Sequence, residues 1–231
     1  TARAGFAGPA DVFSGPTGFL QLCADRCDIA KLTENDSQEL WIHQVYVKPY
    51  AACRHAHPAI EASLSLRTDP ALRPEIIESI RITTYGGLAG RHDHRAATTV
   101  PAAKMSIPVA TAIAFITGRA GIEAFTAETL GDPSIATLAS KVSIIDDPDL
   151  TRQVPEKREA RVECFTRNGE LRQITVVYPK GEPENPMSDD ALFQKFNELA
   201  HYGGIAPERA RRIRDGVFKL PKGLPNLVTE L

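Results

Sequence analysis

Cysteine is scarce in this sequence: only Cys23, Cys27, Cys53 and Cys164 occur among 231 residues. Four cysteines are too few for a disulfide scaffold, so we expect reduced thiols and a cytoplasmic protein. Cys23 and Cys27 stand four apart, but no CxxC spacing or nearby histidine completes a metal site. Their simplest interpretation is a pair of small apolar residues on one helix face.

Long hydrophobic runs and an excess of one charge are also missing. The longest uncharged stretch, Met105 to Gly118, lies between Lys104 and Arg119 and contains Pro108. A membrane span needs about 20 apolar residues, so we expect no membrane segment. The net charge of −2 gives no general electrostatic reason to bind nucleic acid or an anionic membrane. No P-loop, GxGxxG, GxSxG or zinc-finger spacing occurs.

What is present is a globular composition, with 42% hydrophobic and 24% charged residues, on a chain long enough to bury a core. Its middle mixes strand and helix patterns. Asn168-Gly169 predicts a hairpin turn in which both residues take positive φ. A Pro/Gly-rich connector, Pro179 to Pro186, is the best domain boundary. Strands are predicted at Leu40 to Tyr50, Ile76 to Tyr85, Val142 to Ile145, Arg161 to Thr166 and Leu171 to Tyr178, and helices at Phe19 to Lys31, Pro58 to Leu66, Ser106 to Ile116, Ile122 to Leu130, Ser134 to Ser140 and from Ser188 and Pro207 onward.

Four of the six histidines form two H-x-H pairs, His55/His57 and His92/His94. In an extended chain, residues two apart face the same way and can chelate one metal ion. The spacing from His55 through His57 to Glu61 matches the core of a cupin metal motif, but the flanking glycines are missing and a helix is predicted there. A cupin-like metal protein is therefore a minor hypothesis. The second pair is interpreted as a solvated loop, or as a basic loop over an anionic substrate.

The segment Lys48 to His57 holds the densest set of reactive side chains and lies at a predicted strand-to-helix junction. Helix N-terminal amides and side chains can converge on an anion at such a junction. A purely structural junction remains an equal interpretation. Cys53 as a nucleophile is a further one, since Arg54 and His57 could lower its pKa. The reactive side chains are Lys48, Tyr50, Cys53, Arg54, His55 and His57.

Three motifs resemble the MmgE/PrpD family in their order and spacing. They are Lys48-Pro-Tyr-x-x-Cys-Arg-x-x-His57, Ala103-Lys-Met-Ser-Ile-Pro108 and Pro179-x-Gly-x-Pro-Glu-Asn-Pro-Met-Ser188. The first and third are fairly specific when found together. The resemblance runs from Thr1 to the last predicted helix.

The resemblance implies an α+β fold: a two-layer α/β lid domain flanked by helical segments that belong to an all-α domain. Residues 44–186 would be the lid, while residues 1–43 and 187–231 would be pieces of the helical domain. The family chain is about twice as long, so we expect the N-terminal helical half, with further site residues, to be missing here. A homodimer is implied.

The family includes 2-methylcitrate dehydratase, cis-aconitate decarboxylase and iminodisuccinate epimerase. The resemblance implies an enzyme without metal or cofactor that transfers a proton next to a carboxylate of a small di- or tricarboxylate. Dehydration is the first choice of reaction; decarboxylation, epimerisation and a truncated non-catalytic paralogue that acts as an association module are the alternatives. Carried over by motif, Lys48 is a cationic anchor or acid, and His57 is an acid/base or substrate-orienting group with a pKa that can be tuned near neutrality. Tyr50, Cys53, Arg54 and Lys104 would bind substrate.

Overall fold

A computed structural model describes residues 5, 12–14, 18–23, 26, 28, 30 and 41–220. The chain divides into two units, Thr1–Gln44 and Val45–Leu231. In the first unit, helix α1 spans Phe19–Cys23 and a 3-10 turn spans Trp41–Gln44. The predicted helix over residues 19–31 is confirmed for that first part, and the rest, Cys27 included, lies largely outside the described residues.

The second unit mixes helices with one four-stranded sheet of order β2-β1-β3-β4. This agrees with the predicted α+β class, while the described residues do not include an all-α domain. The strands are β1 (Ile77–Tyr85), β2 (Val142–Asp147), β3 (Ala160–Thr166) and β4 (Leu171–Val176). The helices are α2 (His57–Leu66), α3 (Val100–Met105), α4 (Ile107–Thr117), α5 (Ala127–Gly131), α6 (Pro133–Ser140), α7 (Pro148–Thr151), α8 (Asp189–Tyr202) and α9 (Pro207–Phe218).

Strand β1 lies at the centre, parallel to β2 and antiparallel to β3. The parallel pair needs a crossover, and helices α3 to α6 provide it. The predicted burial of Ile80, Ile82 and Thr84 on one side of β1 is confirmed. The sequence pattern places Ile76 on the buried side, but Ile77 is the buried residue. The register with β3 shifts between Ile77 and Ser79, and such a bulge changes which side chains face the core.

Helix α4 packs against both α2 and α6, and α2 also contacts β3 and β4. Helix α4 is buried along nearly its whole length, as its apolar sequence requires. Ser106 begins it as the predicted N-cap, with its hydroxyl 3.1 Å from the Val109 N–H. Gly118 ends it at φ 71°, the left-handed conformation that glycine adopts without a steric penalty.

The predicted hairpin of β3 and β4 is confirmed, but its turn differs. Only Gly169 has positive φ, and the Gly169 N–H donates to the Thr166 carbonyl while the Thr166 N–H donates to the Glu170 carbonyl. This is the pattern of a three-residue loop closed by a bulge. Asn168 therefore has a negative φ, contrary to the prediction for this turn.

The strand predicted from Leu40 to Tyr50 is wrong over residues 41–50, which form a 3-10 turn and then an irregular segment. Val45 and Val47 are exposed, so their apolar side chains do not mark a buried strand face. The Val47 N–H instead donates to the Gly181 carbonyl.

Within the part of the chain that the structure describes, no single helix has the length and apolarity to cross a membrane. The stretches Ile107–Thr117 and Ile122–Gly131 pass that test only as a pair, and they are bent by 98° relative to each other.

Candidate functional site

The segment from Lys48 to His57 is a tightly held turn that leads into α2. The Ala51 N–H donates to the Ala120 carbonyl and the Cys53 N–H to the Lys104 carbonyl, each over 2.8 Å. A 3-10 turn, Arg54–Ala56, then passes directly into the helix, whose first turn contains Pro58. Proline fits there because the first helical N–H groups have no partner within the helix.

Residues that flank the first sequence motif contact the third motif in the fold. The Val47 N–H donates to the Gly181 carbonyl over 2.8 Å, and the Lys180 N–H donates to Glu61 Oε2 over 2.6 Å. A Cβ on Gly181 would lie 1.9 Å from the Val47 carbonyl oxygen, and its φ is 93°. Only glycine permits this approach, which explains the glycine of the third motif in physical terms.

Arg54 joins the same two motifs through a two-pronged ion pair with Glu182. Its Nε donates to Oε1 over 2.8 Å and its Nη2 to Oε2. The side chains are only 23% and 8% exposed, and the guanidinium also lies over the Tyr46 ring, 3.9 Å from its centre. Burial lowers the pKa of Arg54, but the hydrogen bond and charge of Glu182 outweigh it and the pKa rises overall.

His57 is the first residue of α2 and only 2% exposed. Its Nε2 lies 3.4 Å from the Ala52 carbonyl, and its ring meets the Tyr50 ring edge-on at 5.2 Å between centres. Burial lowers the pKa of His57 to about 4. Its imidazole is therefore neutral at pH 7, a state that can accept a proton.

Tyr50 stays a protonated phenol at neutral pH. Its hydroxyl donates to Glu61 Oε2 over 3.4 Å. Burial raises the pKa of Tyr50, and the charge of Glu61 raises it further.

Lys48 and Lys195 share a half-open cavity of about 200 Å³. Lys48 is exposed and its Nζ donates to the Ala52 carbonyl over 3.3 Å. Lys195 comes from α8, and burial lowers its pKa, with the positive charge of Lys48 adding to the effect. Two ammonium groups at one cavity suit a ligand with carboxylate groups. The lining residues are Lys48, Pro49, Tyr50, Ala51, Gly121, Ile122, Lys195, Glu198 and Leu199.

Of the predicted site residues, only Lys48 and Tyr50 line the lysine cavity, whereas Cys53, Arg54, His57 and Lys104 do not. The Lys104 carbonyl accepts from the Cys53 N–H, but its ammonium lies 6.0 Å from the centre of the Phe125 ring. The structure thus connects Lys104 to the site through its backbone.

A second cluster forms on the other side of Cys53. His55 Nδ1 lies 2.5 Å from the Tyr85 hydroxyl, and the rings of His55 and His92 are 5.1 Å apart. Burial lowers the pKa of His55, as do the nearby charges of His92 and Arg158. Burial also raises the pKa of Tyr85 to about 12.

The H-x-H pairs are not assembled as pairs. His57 faces the Ala52 carbonyl while His55 faces Tyr85, and His94 Nε2 lies 3.0 Å from the Ala102 carbonyl. Glu61 contacts Tyr50 and the Lys180 backbone. The cupin arrangement of His55, His57 and Glu61 is therefore wrong.

Sequence reasoning missed Lys195, Glu182, Tyr85 and the place of His92 in this cluster. No local signal marks Lys195, which lies among the apolar residues of α8. Glu182 lies at a variable position of the third motif, and only its contact with Arg54 distinguishes it.

A comparison with known protein families matches residues 50–220 to the MmgE/PrpD C-terminal domain. The match includes every site residue predicted from the sequence except Lys48, which lies two positions before it. No curated protein matches the chain.

Proposed function

Because the chain belongs to the MmgE/PrpD family, we propose that it forms part of the active site of an enzyme for a small di- or tricarboxylate. The proposed chemistry is proton transfer at a carbon next to a carboxylate, with dehydration of a 2-methylcitrate-like substrate as the first choice. The proposal retains the lid at residues 44–186, flanked by pieces of a helical domain. It also retains a homodimer.

The observation that carries this proposal is the lysine cavity. Lys48 and Lys195 lie on different elements, the turn before α2 and helix α8, and both line it. Burial lowers the pKa of Lys195, and the positive charge of Lys48 lowers it further. Such an arrangement stabilises a bound dianion and the charge of an enolate that forms from it.

In the proposed dehydration, His57 is the base. Its neutral imidazole accepts the proton from the carbon next to the carboxylate, the electron pair forms the C=C bond, and the C–O bond of the β-hydroxyl group breaks. Lys48 supplies the proton with which the hydroxyl leaves as water, and Lys195 holds a carboxylate. Tyr50 lines the cavity. Cys53 and Lys104 are not among its lining residues and hold the turn through their backbone hydrogen bond, while Arg54 acts through Glu182 as a positioning residue.

The test is an assay of the chain with 2-methylcitrate, cis-aconitate and iminodisuccinate, which separates dehydration, decarboxylation and epimerisation. We expect Lys48→Ala, Lys195→Ala and His57→Asn each to lower kcat/KM at least tenfold. Lys219→Ala is the matched control because Lys219 is exposed at the end of α9. Unchanged turnover in the first three variants would remove these residues from the site.

A non-catalytic association module is the second candidate, and exposed apolar side chains on α8 and α9 favour it. Leu199, Tyr202, Val217 and Phe218 are 44% to 66% exposed, and exposed apolar patches often mark binding surfaces. We propose a second copy as the occupant. The proposal predicts no turnover of the three acids, and a dimer in sedimentation that Tyr202→Ser and Phe218→Ser convert to monomer. Turnover by the isolated chain would exclude this candidate.

A further inference from the structure

A cavity of about 230 Å³ lies at the end of the sheet where β1 and β2 begin, and Glu75, Lys141 and Arg167 line it. Glu75 stands just before β1, Lys141 directly before β2, and Arg167 directly after β3. Parallel strands begin at the same edge of a sheet, and an antiparallel neighbour ends there. The sheet topology, and not a local motif, therefore brings these three charged residues together.

Hydrogen bonds hold this end of the sheet in place. The Arg167 N–H donates to the Ile76 carbonyl over 2.8 Å, and the Ile80 N–H donates to the Lys141 carbonyl over 3.0 Å. The Lys141 ammonium donates to the Ile77 carbonyl over 2.6 Å. An ammonium group has further N–H donors, so Lys141 is positioned by the backbone and can still donate to a ligand.

The charges at this cavity have both signs, yet they do not pair with each other. Among the residues that the structure describes, no ion pair joins Glu75 to Lys141 or Arg167, or any of the three to another side chain. Glu75 and Arg167 are exposed, and Lys141 is half-buried. A ligand with a cationic and an anionic group can contact both signs through charge-assisted hydrogen bonds, which are stronger than neutral ones.

We propose that this cavity binds a free α-amino acid as its zwitterion. The carboxylate of the ligand accepts from Lys141 and Arg167, and the ammonium group of the ligand donates to Glu75. Arginine suits the carboxylate because its planar N–H groups match the two oxygens. Pro74 and Leu138 add an apolar wall, so a small aliphatic side chain fits the volume of about 230 Å³.

The mixed charge sets the specificity of this cavity. A monocarboxylate gives up the contact with Glu75, and a simple amine gives up the contacts with Lys141 and Arg167. A phosphate or a second carboxylate meets repulsion from Glu75, and specificity combines such repulsion with attraction of the preferred ligand. The cavity shares no lining residue with the lysine cavity. The site is therefore separate from the one proposed for the di- or tricarboxylate substrate.

The test is a titration of the isotope-labelled chain with L-alanine at pH 7, followed by the backbone amide signals in NMR spectra. We expect saturable shifts at Lys141 and Arg167, and unchanged signals at Lys48 and Lys195. Propionate lacks the ammonium group of L-alanine, and ethylamine lacks its carboxylate. Each of them, and inorganic phosphate, should bind at least fivefold more weakly than L-alanine, because each loses charge-assisted contacts or meets repulsion.

Glu75→Gln and Arg167→Gln should each weaken the binding of L-alanine at least fivefold. Both side chains are exposed, so we expect these substitutions to leave the fold intact. The matched controls are Glu78→Gln in β1 and Arg161→Gln in β3, since these residues are exposed and lie outside the cavity lining. In Glu75→Gln the preference for L-alanine over propionate should also disappear, a result that a merely structural role of Glu75 does not produce.

Three results would overturn the proposal: no saturable shifts with L-alanine, binding of propionate or phosphate as tight as that of L-alanine, or equal affinities of Glu75→Gln and Glu78→Gln for L-alanine. The ligand comparison uses the unaltered chain, so it decides the matter even if a variant misfolds. None of these readouts requires turnover, so a failure here is distinct from a failure of the proposed dehydration.

Discussion

At the scale of single residues, burial decides the charge state of His57. The sequence suggests an imidazole with a pKa tuned near neutrality, but a 2% exposed ring has its pKa lowered to about 4. Removing a charged imidazolium from water is costly, and the nearby Lys48 adds to the cost. His57 is therefore a neutral base at physiological pH, which agrees with the role proposed for it.

This lowered pKa predicts a pH dependence of stability. In the unfolded chain His57 protonates near pH 6.5, whereas in the folded chain it does so near pH 4. Its contribution is thus fully present above about pH 6.5 and is lost as the pH falls towards 4, with a ceiling of about 3 kcal/mol.

Urea unfolding at pH 7 and pH 4.5, with a metal chelator present, measures this contribution. His57→Asn should lose less stability between the two pH values than the unaltered chain does. Equal losses would show that His57 does not titrate abnormally.

The ion pair of Arg54 and Glu182 predicts a second effect at this scale. Glu182 is nearly buried, so Glu182→Gln leaves a guanidinium without its counter-charge. We expect a loss of about 2 kcal/mol in the free energy of unfolding. Urea denaturation measures it.

Asp149→Asn is the control for this substitution, because the Arg152–Asp149 pair is more than 70% exposed on both sides. An exposed pair contributes about 0.5 kcal/mol or less. A cost of Glu182→Gln no larger than that of the control would mean that the two motifs are held together by other contacts.

At the scale of elements, helix ends follow the sequence closely. Ser106 and Ser188 both accept from an N–H three residues on, as predicted for α4 and α8. They differ in surroundings: Ser106 is fully buried and also donates to the His94 carbonyl over 2.5 Å, while Ser188 is at the surface.

Ser106→Ala should therefore destabilise the chain by about 2 kcal/mol, because it removes a cap and leaves the part-buried His94 carbonyl without its donor. Ser188→Ala should cost about 1 kcal/mol or less. Thermal unfolding of both variants makes the comparison, and equal shifts in Tm would contradict the role of the buried His94 contact.

The strand predicted over residues 40–50 shows that a local sequence pattern alone does not produce a strand. Its alternation of apolar residues is real, but strand formation needs a neighbouring edge. The Val47 N–H donates to the Gly181 carbonyl, which lies in a turn and not in a strand. Residues 45–50 therefore make an irregular approach to α2, and this approach places Lys48 and Tyr50 at one cavity.

At the scale of the whole molecule, the sheet and its helices form the core around β1. Cys164 lies in β3 with no exposed surface, and burial raises the pKa of its thiol to about 11. Both effects suppress its reactivity, since the thiolate is the nucleophile. Cys164 therefore reports on opening of the core.

We expect iodoacetamide at pH 8 to label the exposed Cys23 quickly and Cys164 only when the molecule unfolds. Urea at concentrations below the unfolding midpoint should accelerate Cys164 labelling in proportion to the unfolded fraction. Peptide mapping by mass spectrometry follows both sites, and fast labelling of Cys164 in water would contradict a closed core.

The sequence by itself determined the elements whose signals are local. Caps at Ser106 and Ser188, the glycine at residue 118 and the hairpin glycine at residue 169 act within a few residues of themselves, so their structures could be predicted. The three motifs likewise predicted the family, which the match over residues 50–220 shows.

Only the tertiary structure decided the partners of the reactive side chains. Arg54 meets Glu182 across 128 positions, Lys48 shares a cavity with Lys195, and Cys53 lies beside both His55 and His92. Burial, charge and pKa depend on neighbours brought from distant parts of the chain, and no local periodicity specifies them. For that reason the sequence identified the reactive segment, while the fold assigned each of its side chains a partner.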